Sequence, residues 1–174
     1  MMKIIKIVVG NLNTNCYLLI KDNRILIIDP GAEAEKIIDE IGDLSCAGIL
    51  LTHHHFDHVG ALSDLLSYYK VNVYDKNNLK EGINNIDVFN FEVIYNPGHT
   101  SDSISYYFKD DNVLFSGDFI FKDSIGRTDL GGNGLEMFDS FNKIKKYNKD
   151  IIIKPGHGED TNLGYEIDCN PFFN

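Results

Sequence analysis

The chain of 174 residues is 43% hydrophobic and carries a net charge of −10, with a pI near 4.9. Length and composition fit one globular domain over 1–174, and the acidic balance excludes a nucleic-acid partner, whose phosphates draw affinity from Lys and Arg. No apolar run reaches the roughly 18 residues of a membrane span and the first residues form no leader-like segment, so no membrane partner and a cytoplasmic location are expected.

Lys3–Val9, 16–21 and 24–29 read as short strands of a meander, separated by Gly10-Asn11 and Asp22-Asn23. The third ends in Asp29-Pro30-Gly31, where the carboxylate either shapes the turn or supports a site from behind. Ala34–Ile41 has the period of a short amphipathic helix, with Ile37, Ile38 and Ile41 as its apolar face and Gly42 as its stop. The run 47–51 is then a buried strand feeding Thr52-His53-His54-His55-Phe56-Asp57-His58.

Four imidazoles and a carboxylate in seven residues point to metal. Alternation on an extended segment puts His53 and His55 on one side and His54 on the other. Asp57 and His58 open an amphipathic pattern (Val59, Leu62, Leu65, Leu66, Tyr69) and so project from the first turn of a helix spanning 57 to about 70.

A strand is expected at 71–74 and a polar, Asn-rich loop at 75–87. The strand 88–95 leads through Asn96-Pro97-Gly98 to His99, and 103–108 with 112–115 forms a hairpin whose second strand ends in Ser116-Gly117-Asp118. The glycine-rich stretch 119–134, which includes Arg127, reads as a long functional loop. A helix over 135–147 would turn Met137, Phe138, Phe141 and Ile144 inward and leave Lys143, Lys145, Lys146 and Lys149 as a solvated face. The buried strand 151–153 presents His157 after a second Pro-Gly turn, and the tail 161–174 docks the aromatics of Asn170-Pro171-Phe172-Phe173 onto the core. Cys16, Cys46 and Cys169 lack metal-binding spacing and read as reduced thiols in strands and a tail, none of them a nucleophile.

His53-x-His55-x-Asp57-His58, Gly98-His99-Thr100, Gly117-Asp118 and Gly156-His157-Gly158 together resemble, in order, the motifs of the metallo-β-lactamase superfamily. Asn15-Cys16-Tyr17, Ile28-Asp29-Pro30-Gly31, the segment 124–130 and Asn170-Pro171-Phe172 are more closely similar to the small glyoxalase-II-like hydrolases, and the likeness covers nearly the whole chain. It implies an α/β fold, an αββα sandwich of two mixed sheets packed face to face with helices outside and the metals at one edge. It also implies that His53, His55 and His99 hold one divalent ion, that Asp57, His58 and His157 hold the other, and that Asp118 bridges them. Such a ligand set suits Zn²⁺ and also accepts iron or manganese.

The chemistry implied is hydrolysis. Two bridged divalent ions lower the pKa of water from about 15.7 to about 7, and a thiol of pKa about 8.5 leaves without help from an acid, which favours a thioester such as S-(2-hydroxyacyl)glutathione. Asp57 would also orient the attacking oxygen. Arg127 is expected either to bind a substrate carboxylate with its planar fork or to brace the loop through Asp123 or Asp129. The alternative reading is a persulfide dioxygenase of the same superfamily, with one iron in the first site. Two departures stand out: His99-Thr100-Ser101-Asp102-Ser103 replaces the common His-Thr-Pro-Gly-Ser, and the helical domain that full-length glyoxalase II enzymes append is not in this sequence.

Overall fold

The structure, a computed structural model, describes residues 1–173; Asn174, the end of the expected tail, lies outside the described residues. Strands β1 (Lys3–Val9), β2 (Thr14–Lys21) and β3 (Arg24–Ile28) form the expected antiparallel meander, which β4 (Ser45–Leu50) and β5 (Val73–Tyr74) extend in parallel into a five-stranded sheet. A second sheet has six strands: β6 (Gly82–Ile86), β7 (Phe89–Tyr95), β8 (Ile104–Phe108), β9 (Val113–Gly117), β12 (Ile152–Pro155) and β13 (Thr161–Asn162), in the order β13-β12-β9-β8-β7-β6. A small hairpin of β10 (Ile120–Phe121) and β11 (Ser124–Ile125) stands beside it.

The sheets stack because the inner strands are apolar on both faces. Along β2, Tyr17 and Leu19 face the other sheet while Cys16 and Leu18 face helices; along β3, Leu26 and Ile28 face inward while Ile25 and Ile27 face outward. The inner layer meets Phe91, Val93, Tyr106, Phe108 and Phe115 of the second sheet, and Tyr17 packs edge-on against Phe115 with ring centroids 5.0 Å apart. Helices α1 (Ala34–Ile41), α2 (Phe56–Val59) and α3 (Leu62–Tyr68) flank the first sheet, and α4 (Gly134–Ile144) and α5 (Leu163–Cys169) flank the second. This is the αββα sandwich. Among the described residues no helix is long and apolar enough to cross a membrane.

Several expectations need correction. The helix over 57–70 is two helices, because the chain must step in at Gly60 to reach the Pro30-Gly31 turn: a Cβ there would lie 2.2 Å from the Gly31 carbonyl oxygen, and Ala61 N–H donates to Pro30 O at 2.9 Å. The polar stretch 75–87 contains β6, an edge strand that exposes Ile83 at 78% and turns Gly82, Asn84 and the buried Ile86 inward, so its residue types do not alternate with its burial. The stretch 119–134 contains the β10–β11 hairpin, and the tail contains β13 and α5, the helix being capped by the Asn162 side chain on Tyr165 N–H.

In α4, Ser140 rather than Phe138 turns inward, and Phe138 is 58% exposed. Of the tail aromatics, Phe173 docks on Phe141 with centroids 4.4 Å apart while Phe172 stays exposed. Lys143 and Lys149 pair with Glu81 and Asp168 at 2.7 and 2.9 Å on the surface, the solvated face expected. Cys16 and Cys46 lie in strands, and Cys169 ends α5. Phe115→Ala, which empties the space between the sheets, should cost about 3–5 kcal/mol in chemical denaturation, whereas Phe138→Ala on the exposed face should stay within about 0.5 kcal/mol.

Candidate metal centre

Four strands end at one edge of the sandwich and release the histidines and aspartates there. β4 leads into 52–58, β7 into His99, β9 into Asp118 and β12 into His157. Because β9 and β12 are parallel and β7 is separated from β9 by one antiparallel strand, all three of the second sheet point their C-terminal ends the same way. Ile104 N–H donates to Thr52 O at 2.9 Å and fixes the first sheet's contribution against the second.

The donor atoms of His53, His55 and His99 lie within 4.8 Å of one another, as do those of Asp57, His58 and His157, and those of His53, His58 and Asp118. Asp118 stands between the first two groups. Its Oδ2 is 3.5 Å from Nε2 of both His99 and His157, and its Oδ1 is 3.3 Å from His58 Nε2. Asp57 Oδ2 is 3.2 Å from His157 Nε2 and accepts from the Thr14 hydroxyl at 3.0 Å.

The rings are aimed by what their other nitrogens do. Nδ1 of His99 donates to Arg127 O at 2.6 Å, that of His157 to Leu12 O at 3.0 Å, that of His58 to Asp29 Oδ2 at 3.0 Å, and that of His53 meets the Thr52 hydroxyl at 3.1 Å. With Nδ1 so engaged, each Nε2 is left with its lone pair facing the cluster. His55 instead offers Nδ1, which is 2.9 Å from His99 Nε2. Asp29, on a left-handed backbone at φ 50, accepts from Thr52 N–H at 2.8 Å and from the Thr52 hydroxyl at 2.6 Å. The turn carboxylate therefore both shapes its turn and holds the cluster from behind.

His53 Nε2, His58 Nε2 and Asp118 Oδ1 are buried without a hydrogen-bond partner. Orphaned lone pairs converging on a carboxylate are costly unless a cation lies between them. Burial opposes the charged form of His58, yet Asp29 and Asp118 push its pKa up to about 10. Burial, with the neighbouring His58, pulls His53 down to about 2. Burial likewise opposes ionisation of Asp118, but the neighbouring His157 and His58 rings hold its carboxyl below the usual range. The cluster draws positive charge that its own rings cannot all supply as protons, so a divalent cation fits the donor set. Close approach also requires Gly156, where a Cβ would fall 2.2 Å from Asp118 Oδ1.

All seven ligand positions expected from the sequence converge here. His54 points away, as alternation requires, and sits 2.5 Å from Asp102 Oδ2 and 3.1 Å from Asp75 Oδ2. Asp102 belongs to the segment that departs from His-Thr-Pro-Gly-Ser; the turn is kept instead by Thr100 and Ser103, whose hydroxyls are 2.7 Å apart. Arg127 lies outside the cluster, its guanidinium on Asp129 at 2.8 and 2.9 Å and only its carbonyl touching a ring.

Thr14 and Thr52 were not evident from the sequence, although Thr52 directly precedes the histidines. The Asn15-Cys16-Tyr17 motif also gains a reason. Asn15 Nδ2 and Tyr17 OH both donate to Pro155 O, at 2.9 and 2.7 Å, and fix the strand end that presents His157.

Asp29→Asn keeps the size of the side chain and tolerates the left-handed backbone, so it tests the charge behind His58. We expect the affinity of the Asp57–His58–His157 group for zinc to fall by about 10–100-fold, measured by competition with a chromophoric chelator. Unchanged affinity would leave Asp29 with its turn-forming role alone.

A model of the Metallo-beta-lactamase superfamily matches residues 9–77 and 75–157. The hydroxyacylglutathione hydrolase GloC of Haemophilus influenzae is 37% identical over 196 residues, covering 92% of each chain. Two solved structures superpose closely: BLEG-1 B3 metallo-beta-lactamase, with a TM-score of 0.94, 34% identity and coverage of 98% and 99% of the two chains, and TTHA1623 in a di-iron-bound form, with a TM-score of 0.89, 31% identity and coverage of 97% and 99%. Fold, motif order and these likenesses agree: the chain belongs to the metallo-β-lactamase superfamily.

Proposed function

We propose that the protein hydrolyses a small thioester, such as S-(2-hydroxyacyl)glutathione, with His53, His55 and His99 holding one divalent ion, Asp57, His58 and His157 the other, and Asp118 bridging them. The observation that carries this reading is the pair of donor groups that share Asp118, with buried orphaned atoms aimed into the space between. Zinc is the first expectation for the ions; iron suits the same donors and is the metal of one solved relative. Bound there, the ions would supply hydroxide at neutral pH and a positive charge for a carbonyl oxygen.

The chain's own residues do the rest. Asp57, fixed by the Thr14 hydroxyl, would orient the attacking oxygen. Arg127 O and Leu12 O hold the His99 and His157 rings against rotation, so the site is formed before substrate arrives. A departing thiolate needs no general acid. The substrate class draws its support from the GloC relative and from this leaving-group argument.

Metal analysis combined with an oxygen electrode tests the reading. Two ions per chain with thioester hydrolysis and no oxygen uptake are expected; one iron per chain with oxygen consumption on glutathione persulfide would replace hydrolysis by a dioxygenase.

Arg127 is assigned the substrate carboxylate. Its pairing with Asp129 is on the surface, both side chains about two-thirds exposed, so a substrate anion can take Asp129's place in bidentate fashion. Arg127→Ala should raise KM for a glutathione thioester about tenfold with kcat little changed, and leave a neutral thioester almost untouched. Equal losses on both substrates, or a lower Tm with unchanged KM, would make it a brace for its own loop.

A further inference from the structure

His54 is the histidine of the 53–58 run that joins none of the donor groups, yet both of its ring nitrogens are taken. Nδ1 is 2.5 Å from Asp102 Oδ2 and Nε2 is 3.1 Å from Asp75 Oδ2. Asp75 is itself fixed, with Asn77 N–H donating to its Oδ1 at 2.7 Å and Asn77 Nδ2 to its Oδ2 at 3.3 Å. Lys76 beside it donates to Ser101 O at 2.5 Å. Three segments therefore meet around one ring: the run after β4, the residues after β5 and the turn after β7.

A surface pair of this kind stabilises little by itself; its place gives it consequence. His54 sits in the chain between His53 and His55, and Asp102 follows His99 in the same turn. Their contact spans the same gap as the first donor group, which takes His53 and His55 from the first sheet and His99 from the second. Ser101-Asp102 also stands where the His-Thr-Pro-Gly-Ser pattern has Pro-Gly. A proline fixes its own backbone, whereas here both residues are tethered outward, Ser101 through its carbonyl to Lys76 and Asp102 through its carboxylate to His54. Asp102 does not take a left-handed backbone, so the turn has no need of a glycine there. Among the described residues His55 is the ligand ring with no protein group on its outward nitrogen, so its aim depends on the backbone around residue 54.

We propose that His54 is a positioning residue of the metal centre: seated between Asp75 and Asp102, it holds the His99 turn against the His53–His55 segment and sets the affinity of the first donor group without touching an ion. The assignment rests on that group of the reading above. Zinc affinity, measured by competition with a chromophoric chelator, tests it, each group being isolated by removing a ligand of the other. His157→Ala leaves the His53–His55–His99 group, and His99→Ala leaves the Asp57–His58–His157 group. In the His157→Ala protein, His54→Ala and Asp102→Ala should each lower zinc affinity about tenfold, and the two together should lower it no further than His54→Ala alone, because they remove one contact. In the His99→Ala protein neither should change it by more than about twofold. Equal losses in both proteins would make His54 a general brace of the edge, and unchanged affinity of the first group would make it a surface pair; either overturns the assignment while the two-ion reading stands. If the wild-type chain binds one zinc and His157→Ala keeps it, the two-ion reading fails and the His157→Ala series still decides the assignment. A chain that binds no zinc would overturn both.

Discussion

Everything at the active edge leans on one buried carboxylate, that of Asp29. It takes both the N–H and the hydroxyl of Thr52 and faces Nδ1 of His58, while the same Thr52 hydroxyl meets Nδ1 of His53. One ring of each three-histidine or histidine–aspartate group is thereby fixed to a single anchor. A carboxylate that is 2% exposed is costly to bury unless its oxygens are occupied, and here both are. Its negative charge in turn favours a cation on the far side of His58.

Around that anchor, the structure uses distant parts of the chain as struts. Asn15 and Tyr17 hold Pro155 O; Glu166, fully buried, accepts from Asp123 N–H, the Thr161 hydroxyl and Asn170, which also donates to Ser124 O. Those bonds pin the β10–β11 hairpin and the start of the loop whose Arg127 carbonyl aims His99. The C-terminal helix therefore reaches the centre indirectly, through a loop it never lets go.

The sequence was most legible where periodicity and chemistry coincided. Buried strands announced themselves by continuous apolar runs, α1 by its isoleucines and Gly42, and the ligand positions by imidazoles at strand ends. What stayed hidden was set by packing rather than pattern. β6 puts Gly82 and Asn84 on its inward side and Ile83 on its outward side, so its residue types do not follow its burial, the break at Gly60 follows from a backbone contact with Gly31, and α5 depends on a cap and a buried glutamate in a polar tail. Thr14 and the carbonyls of Leu12 and Arg127 act through positions that only the folded chain brings near the histidines, and a carbonyl has no residue-type signature at all. The likeness of motifs supplied the order of the ligands; the geometry supplied their tautomers.

The candidate ligands divide by sheet: His53, His55, Asp57 and His58 follow a strand of the first, whereas His99, Asp118 and His157 follow strands of the second. Neither sheet alone contains a complete donor group, since each three-membered group draws on both. The centre is thus a clasp across the open edge of the sandwich, and it comes into being only when the two layers have closed on each other. Anything that binds the clasp binds the closed protein and not the separated layers, so occupancy and closure are one equilibrium seen from two sides. Layers that part even locally at this edge would release both donor groups together.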